Sequence, residues 1–420
     1  MPRRSFSLVA HRDFRLLLIG QTTSQFGTQI SGVAIPLLAV LTLHASALQV
    51  GLIGAASTIS FAVVGLPAGA WLDRRPRRGF LIGSDVARAV LLASIPAAAL
   101  LGVLTLAQVI VVALLAGLAR VFFDVGYQSY IPTVIGKERV LAGNSAMEFL
   151  RSSGQVAGPG IGGLLISLVG AANVVLLDAV TFAVSAGTLL SIRTRESEAT
   201  RDAASQHLGR RILEGLSFVF RNRVLLAIAI ASAVSNFVFA VASAVTMIFL
   251  SRTLGLSAVG IGVVIAAGSA ATMAGAASVS RIARAVGSVR VIWLSLAVTV
   301  PLQILVAFAQ PGWLVLLFVV GAAAGEFGQI VYAISNVSLR QRLCPDRVLS
   351  RVNATMGVLI MGLFPLGALL GGISGELIGP RLTLLGAGVL LTAAPVALFA
   401  VLRGHRDVES LEPWDPDAGE

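Results

Sequence analysis

The chain has 420 residues, of which 56% are hydrophobic and 12% charged, with a mean hydropathy of +0.90 and a formal net charge of +11. This composition leaves no aqueous domain of useful size, and the basicity reads as membrane topology rather than nucleic-acid binding, because the arginines concentrate in short loops between apolar runs. The single cysteine, Cys344, excludes an internal disulfide framework, and His11, His44, His207 and His405 lack metal-ligand spacing, so neither a metal nor a cofactor is expected.

About 20 apolar residues are needed for a helix to cross a hydrocarbon core about 30 Å thick, and such runs fill most of the chain. Lipid cannot satisfy backbone N–H and C=O groups, and the runs are too long for barrel strands, so the predicted fold is an all-α integral membrane protein. Crossings are expected at residues 14–41, 47–72, 79–101, 105–128, 143–169, 172–192, 223–250, 257–280, 288–309, 312–337, 350–374 and 381–402. The first follows Arg3, Arg4 and Arg12 and is too long for the apolar core of a signal peptide, so it is expected to stay in the mature protein.

Loops after even-numbered crossings carry the basic residues: Arg74, Arg75, Arg77 and Arg78, then Lys137 and Arg139, then Arg193 through Arg223, then Arg281, Arg284 and Arg290, then Arg340, Arg342, Arg347 and Arg351. Loops on the other side hold only Arg252 and Arg381. By the positive-inside rule both termini lie in the cytoplasm of a multi-pass plasma-membrane protein (the inner membrane of a bacterium), and twelve transmembrane helices satisfy the alternation. Residues 193–222 form the one long polar interruption, at the chain's midpoint, and Leu208 to Phe220 reads either as an amphipathic surface helix or as a plain solvated linker. Residues 1–192 and 223–402 are then two halves, and 403–420 a cytoplasmic tail.

The halves are related by a weak repeat. Ser46, Val50 and Gly51 recur as Ser257, Ile261 and Gly262, Arg139-Val140-Leu141 recurs as Arg347-Val348-Leu349, and Gly162-Gly163 as Gly371-Gly372. Two pseudo-symmetric six-helix bundles follow, an architecture in which the halves rock about a site near the midplane.

Two motifs carry a family resemblance. At the end of the second crossing stands Gly69-Ala70-Trp71-Leu72-Asp73-Arg74-Arg75-Pro76-Arg77-Arg78, which resembles the signature loop of the major facilitator superfamily. The resemblance implies a cytoplasmic latch built from Gly69, Asp73, Arg74, Arg77 and Arg78; a purely topological role for the arginines is the alternative. Its expected second copy reads Ser280-Arg281 and lacks the acidic member. In the fifth crossing, Gly154, Gly158, Pro159, Gly162 and Gly163 look like the Gly-x-x-x-Gly-Pro signature of the drug and proton antiporter branch, which implies export; ordinary small-residue packing is the bland reading. With the phrase from Ile131-Pro132 to Asn144-Ser145-Ala146, the chain is most similar to the macrolide and siderophore exporter group of that branch.

Charges inside the crossings are expensive and survive when paired or wetted. Glu326 lies near the middle of the tenth crossing with no basic residue within a turn, and a lone carboxyl that loads and loses a proton is what an antiporter needs; a packing hydrogen bond is the alternative. Arg120 and Asp124 are one turn apart and form either a static ion pair or a proton relay, with Glu148 and Arg151 of the next crossing as other partners. Arg120 resembles the fourth-helix arginine of the antiporters, although those have Gly where this chain has Asp124. Asp178 has no local cation and is a further protonation candidate, whereas Asp85 and Arg88 read as structural. Gln21, Gln25, Phe26, Phe61, Asn236, Phe237, Phe239, Met247, Phe308, Phe327 and Gln329 are candidate cavity residues.

The resulting expectation is a secondary exporter of amphipathic or lipophilic small molecules, driven by protons, monomeric, in contact with membrane lipid and with no nucleic acid as partner. Nothing resembles a nucleotide loop, since the only lysine is Lys137 in Gly136-Lys137-Glu138. The rivals are a dedicated exporter of one endogenous metabolite such as a siderophore or antibiotic, a non-transporting sensor, and a membrane enzyme, which the lack of a His, Asp and Ser cluster disfavours.

Overall fold

The computed structural model describes residues 12–72, 76–136, 140–194, 217, 219–344, 352, 355–357 and 359–407. Eleven helices among them are long and apolar enough to cross a membrane. In chain order the helices are α1 Arg12–Leu37, α2 Ala47–Leu72, α3 Arg77–Leu100, α4 Leu106–Ile135, α5 Val140–Val169, α6 Ala171–Ser191, α7 Arg223–Ile248, α8 Ala258–Val286, α9 Arg290–Gln303, α10 Val315–Leu343, α11 Phe364–Leu377, α12 Gly379–Leu391 and α13 Ala393–Leu402. The thirty-residue α5, apolar over Ala157–Val169, stands where the sequence places the fifth crossing, and α12 with α13 forms one crossing, Gly379–Leu402. Several helices run past their predicted ends, α8 by six residues to Val286 and α10 by six to Leu343, because helical hydrogen bonding continues where side chains turn polar. Most of the proposed linker helix, residues 208–216, lies outside the described residues.

Two compact units emerge. The first comprises Met1–Ala45, Ala56–Ala203 and Leu256–Ala266; the second comprises Ser46–Ala55, Ala204–Gly255 and Ala267–Glu420. Each half of the sequence therefore lends the first turns of one helix, α2 or α8, to the other unit. A cut along the sequence does not show this exchange.

The repeat is visible in backbone detail that side chains alone do not announce. After α1 the chain widens into a π turn at Leu38–Thr42, and after α7 it does so at Phe249–Thr253, the same 211 residues on that separate Gly51 from Gly262. The closing bonds match: the Leu43 N–H donates to Leu38 O at 3.2 Å and the Leu254 N–H to Phe249 O at 2.9 Å. Ser46 and Ser257 then open α2 and α8 in the same way, each hydroxyl accepting a backbone N–H three residues on, from Gln49 at 3.4 Å and Gly260 at 3.2 Å. The corners between α5 and α6 and between α11 and α12 also correspond, with Gly170 at φ +83° and Gly379 at φ +85°. Only glycine enters that region without a steric cost.

In the first unit, a core of Phe14, Leu17, Leu81, Phe123, Tyr130, Ile131 and Leu189 joins α1, α3, α4 and α6. Asp13 fastens the chain's start to the end of α6, where its Oδ2 accepts the N–H groups of Arg193 at 3.1 Å and Thr194 at 2.9 Å and the Thr194 hydroxyl at 2.6 Å. In the second unit, Leu225, Ile228, Ile292, Leu296, Tyr332, Leu339, Leu391 and Leu398 join α7, α9, α10, α12 and α13. There Asp407 plays the fastening role, its Oδ1 accepting the Ser288 N–H at 2.9 Å.

One position breaks the symmetry. His44 sits at φ +53°, where the second half has Gly255 at φ +67°. A side chain in the left-handed region costs about 1–2 kcal/mol. His44→Gly is therefore expected to stabilise the protein by about 1 kcal/mol, read as a rise of a few degrees in the unfolding midpoint of the purified protein, whereas Gly255→His should lower it.

Candidate functional site

The glycines of α5 serve two neighbours. A Cβ built on Gly158 would lie 2.5 Å from the Cβ of Gln29, and on Gly162 3.3 Å from the Cα of Ile30, so this face is a groove that admits the backbone of α1. Phe26 fills the same interface, its ring 3.7 Å from the Cβ position of Gly154. Gly163 faces the other way, and a Cβ there would stand 2.6 Å from the Ala258 carbonyl oxygen and 2.8 Å from the Cα of Gly262. Gly262 in turn abuts the Pro159 carbonyl, at 2.9 Å from its own Cβ position.

The second unit repeats the arrangement. Gly367 lies against the Phe237 carbonyl, with a Cβ position 2.6 Å away, while Gly371 and Gly375 meet Val241 and Val245 of α7. Gly372 and Gly51 abut each other as Gly163 and Gly262 do, with a Cβ position 3.2 Å from the Cα of Gly51. Without a hydrophobic drive between helices in lipid, such close backbone approach is the main source of packing energy.

The latch motif is described only in part. Asp73 and Arg74 lie outside the described residues, and so does the surrounding of Gly69. Arg77 opens α3, and Arg78 reaches across to the end of α6, where Nε donates to Leu189 O at 3.0 Å and Nη2 to Leu190 O at 2.8 Å. A cation on the last carbonyls of a helix satisfies both their hydrogen bonding and the negative end of the dipole. Arg78 thus has a capping role that the motif alone does not reveal.

Buried charge in the first unit centres on α3. Asp85 is fully buried and Arg88 is 7% exposed, and they form an ion pair one turn apart. The Arg88 guanidinium lies between two rings, 4.5 Å from the centroid of Phe123 on α4 and 4.1 Å from that of Phe182 on α6. Asp178, 3% exposed, sits one turn from Phe182 and accepts the Thr181 hydroxyl at 3.1 Å, in space that Gly27 of α1 leaves open. Asp178 has no cation along its own helix, but Phe182, one turn on, carries the Arg88 guanidinium of α3 on its ring. Arg120 and Asp124 do form their intrahelical pair, at 3.3 Å, with side chains 63% and 45% exposed. The side chain of Glu148 lies outside the described residues.

Glu326 occupies a different setting. It projects from α10 towards α8, its Cγ 3.5 Å from the Cβ position of Gly268, and its Oε2 accepts the Thr272 hydroxyl at 3.3 Å. Among the described residues no cation pairs with it. Gly268 and Thr272, small residues one helical turn apart opposite a carboxyl, are partners that pattern reading overlooked; their spacing of four was the available signal.

The cavity candidates divide between the units. Gln25 and Phe26 are half-buried on α1. In the second unit the Asn236 amide donates to Ser232 O at 3.4 Å, Phe327 packs on the core beside α9, and Gln329 is half-buried on α10. Phe61, Phe239 and Phe308 are 42%, 55% and 53% exposed.

Comparison with known proteins agrees with this architecture. The family described as Major Facilitator Superfamily matches residues 17–363. The multidrug efflux pump Tap of Mycolicibacterium fortuitum is 32% identical over 400 residues, covering 91% of this chain and 94% of that protein. Tap of Mycobacterium tuberculosis is 29% identical over 222 residues, half of either chain. Among solved structures, the nucleoside transporter NupG superposes with a TM-score of 0.70 at 12% identity, covering 92% of this chain and 98% of that one. A bacterial homologue of the iron transporter ferroportin, in its inward-facing state, gives 0.72 at 18%, covering 93% and 98%.

Removing the Arg88 charge strands a buried carboxylate, a cost of about 3–5 kcal/mol. Arg88→Met is accordingly expected to lower the unfolding midpoint strongly, and the double variant Asp85→Asn with Arg88→Met to recover most of the loss. Thermal unfolding of the three proteins in one detergent measures it.

Proposed function

We propose that this chain, which belongs to the major facilitator superfamily, exports amphipathic or lipophilic small molecules in exchange for protons. The 32% identity to Tap along nearly its full length supports multidrug efflux as the activity. The observation that carries proton coupling is Glu326: a carboxyl in the middle of α10 with one neutral hydrogen-bond partner, Thr272, and no cation among the described residues. A carboxylate so placed is costly in low dielectric and relieves the cost by taking a proton. Loading and release then change the charge of the second unit by one, and a conformation that exposes the group to water differs in proton affinity from one that buries it.

The first unit supplies a contrasting setting. Arg88 pairs with Asp85 and lies on the ring of Phe182, one turn from Asp178, so a single cation stands among two buried carboxylates. Asp178, Asp124 and Arg120 are secondary members of the proton pathway in this reading, and the glycine contacts of α5 and α11 let helices slide at close range without leaving voids. The alternation of arginines supports placing both termini in the cytoplasm, in the plasma membrane of a bacterium. The protein works as a monomer that carries substrate and protons without transforming either, with Gln25, Phe26, Asn236, Phe237, Phe327 and Gln329 offering apolar and adaptable polar contact to substrate.

Purified protein in liposomes tests the proposal. With a lipophilic fluorescent dye and an imposed pH gradient, Glu326→Gln is expected to lower gradient-driven dye movement by about tenfold or more while the unfolding midpoint stays within a few degrees. Undiminished pH-driven transport by that variant would remove Glu326 from the mechanism.

A further inference from the structure

In the second unit two cavities lie along α9, one against α8 and one between α8, α9 and α10. The first, of about 530 Å³, opens at the arginine-rich end of the unit and is walled by Arg290 in the first turn of α9, by Arg403 and Arg406 beyond α13, and by Trp293, Leu294 and Val286. The second, of about 180 Å³, is a crevice lined by apolar groups of Ile282, Leu294, Val298, Phe327 and Val331. Leu294 belongs to both walls. The surface therefore passes from three guanidiniums to hydrocarbon across one side chain.

The charged part is a built site rather than a chance gathering of loop arginines. The Arg406 carbonyl accepts the N–H groups of Val289 at 3.0 Å and Arg290 at 3.4 Å, and Asp407 accepts the Ser288 N–H at 2.9 Å and its hydroxyl at 3.3 Å. These bonds strap the segment beyond α13 onto the α8–α9 corner and fix Arg406 and Arg403 beside Arg290. One carboxylate, Asp407, stands 3.8 Å from Arg406 and is already engaged with Ser288, whereas Arg290 and Arg403 pair with no carboxylate among the described residues. On the wall of the same cavity, the indole N–H of Trp293 is buried and has no hydrogen-bond partner among the described residues. Three guanidiniums so gathered call for an anion with several acceptor oxygens, and the apolar crevice beyond calls for a hydrocarbon chain attached to it.

We propose that the crevice binds an anionic glycerophospholipid, with the phosphate held by Arg290, Arg403 and Arg406 and one acyl chain laid past Leu294 towards Val298 and Phe327. Free phosphate would occupy the first cavity and leave the second without an occupant. A zwitterionic lipid would bring its own cation against three guanidiniums. Val298 is 57% exposed, so an acyl chain leaving the crevice passes directly into surrounding lipid. The site involves none of the groups assigned to proton coupling and shares only Phe327 with the substrate contacts proposed above, and its test reads lipid binding rather than transport.

Detergent-purified full chain is titrated with phosphatidylglycerol, with phosphatidylcholine of the same acyl chains, and with inorganic phosphate, following the unfolding midpoint and the lipid retained in native mass spectra. Phosphatidylglycerol is expected to raise the midpoint by several degrees and to remain bound, with the other two giving less than about a third of that shift. Arg290→Gln with Arg403→Gln should lose most of the shift, and Leu294→Trp, which fills the junction without changing charge, should lose it as well. An equal shift with phosphatidylcholine, the full shift with phosphate alone, or an unchanged phosphatidylglycerol shift in Leu294→Trp would each overturn the assignment.

Discussion

Hydrocarbon offers a backbone nothing to bond with, so its N–H and C=O groups must be paired within the protein, and with runs too long for barrel strands this requirement dictates helices. It also removes the force that usually assembles them, because lipid is as apolar as leucine. What remains is shape. The contacts of Gly163 with Gly262 and of Gly372 with Gly51 bring backbones together at distances any larger residue would forbid, and the side faces of α5 and α11 receive α1 and α7 by the same means. A methyl group at such a point costs about 1–3 kcal/mol of overpacking.

Backbone symmetry and chemical symmetry part company in this molecule. The π turns, the serine caps and the glycine corners recur at offsets of 209 to 211 residues, yet the charges inside the crossings do not. At the offset that relates Gly163 to Gly372, Glu326 falls opposite Gly117, whose Cβ position is filled by the backbone of Ser57. Arg88 likewise falls opposite Ala297. One half keeps a guanidinium between Phe123 and Phe182 with carboxylates around it; the other keeps one carboxyl beside a threonine. A duplicated scaffold has been given two electrostatic tasks.

Much of this was legible in the residues. Twelve apolar runs, the alternation of arginines and the paired glycines each express a rule that acts locally along the chain, and the helices follow them closely. The positions of Phe123 and Phe182 around Arg88 were not legible, because cation and rings come from three different helices and no spacing within one helix encodes a meeting between three. Arg78 illustrates the same limit: a motif names it, while its partners, the carbonyls of Leu189 and Leu190, lie 111 and 112 residues away. The π turns escaped for another reason, since Leu38–Thr42 and Phe249–Thr253 both start apolar and end in Thr, a pattern that an ordinary α-helix end shows as readily.

The carboxylates of Asp13 and Asp407 bear on the order in which the protein is made. Asp13 emerges from the ribosome 180 residues before the amide of Arg193 that it will hold, and the corner at Ser288 waits 119 residues for Asp407. In one half the acceptor is early and the donors late; in the other the donors come first and the acceptor last. The Asp13 bonds can close once α6 has been made, before the α8 segment of the same unit exists, whereas the Asp407 bond must wait for the end of the second unit.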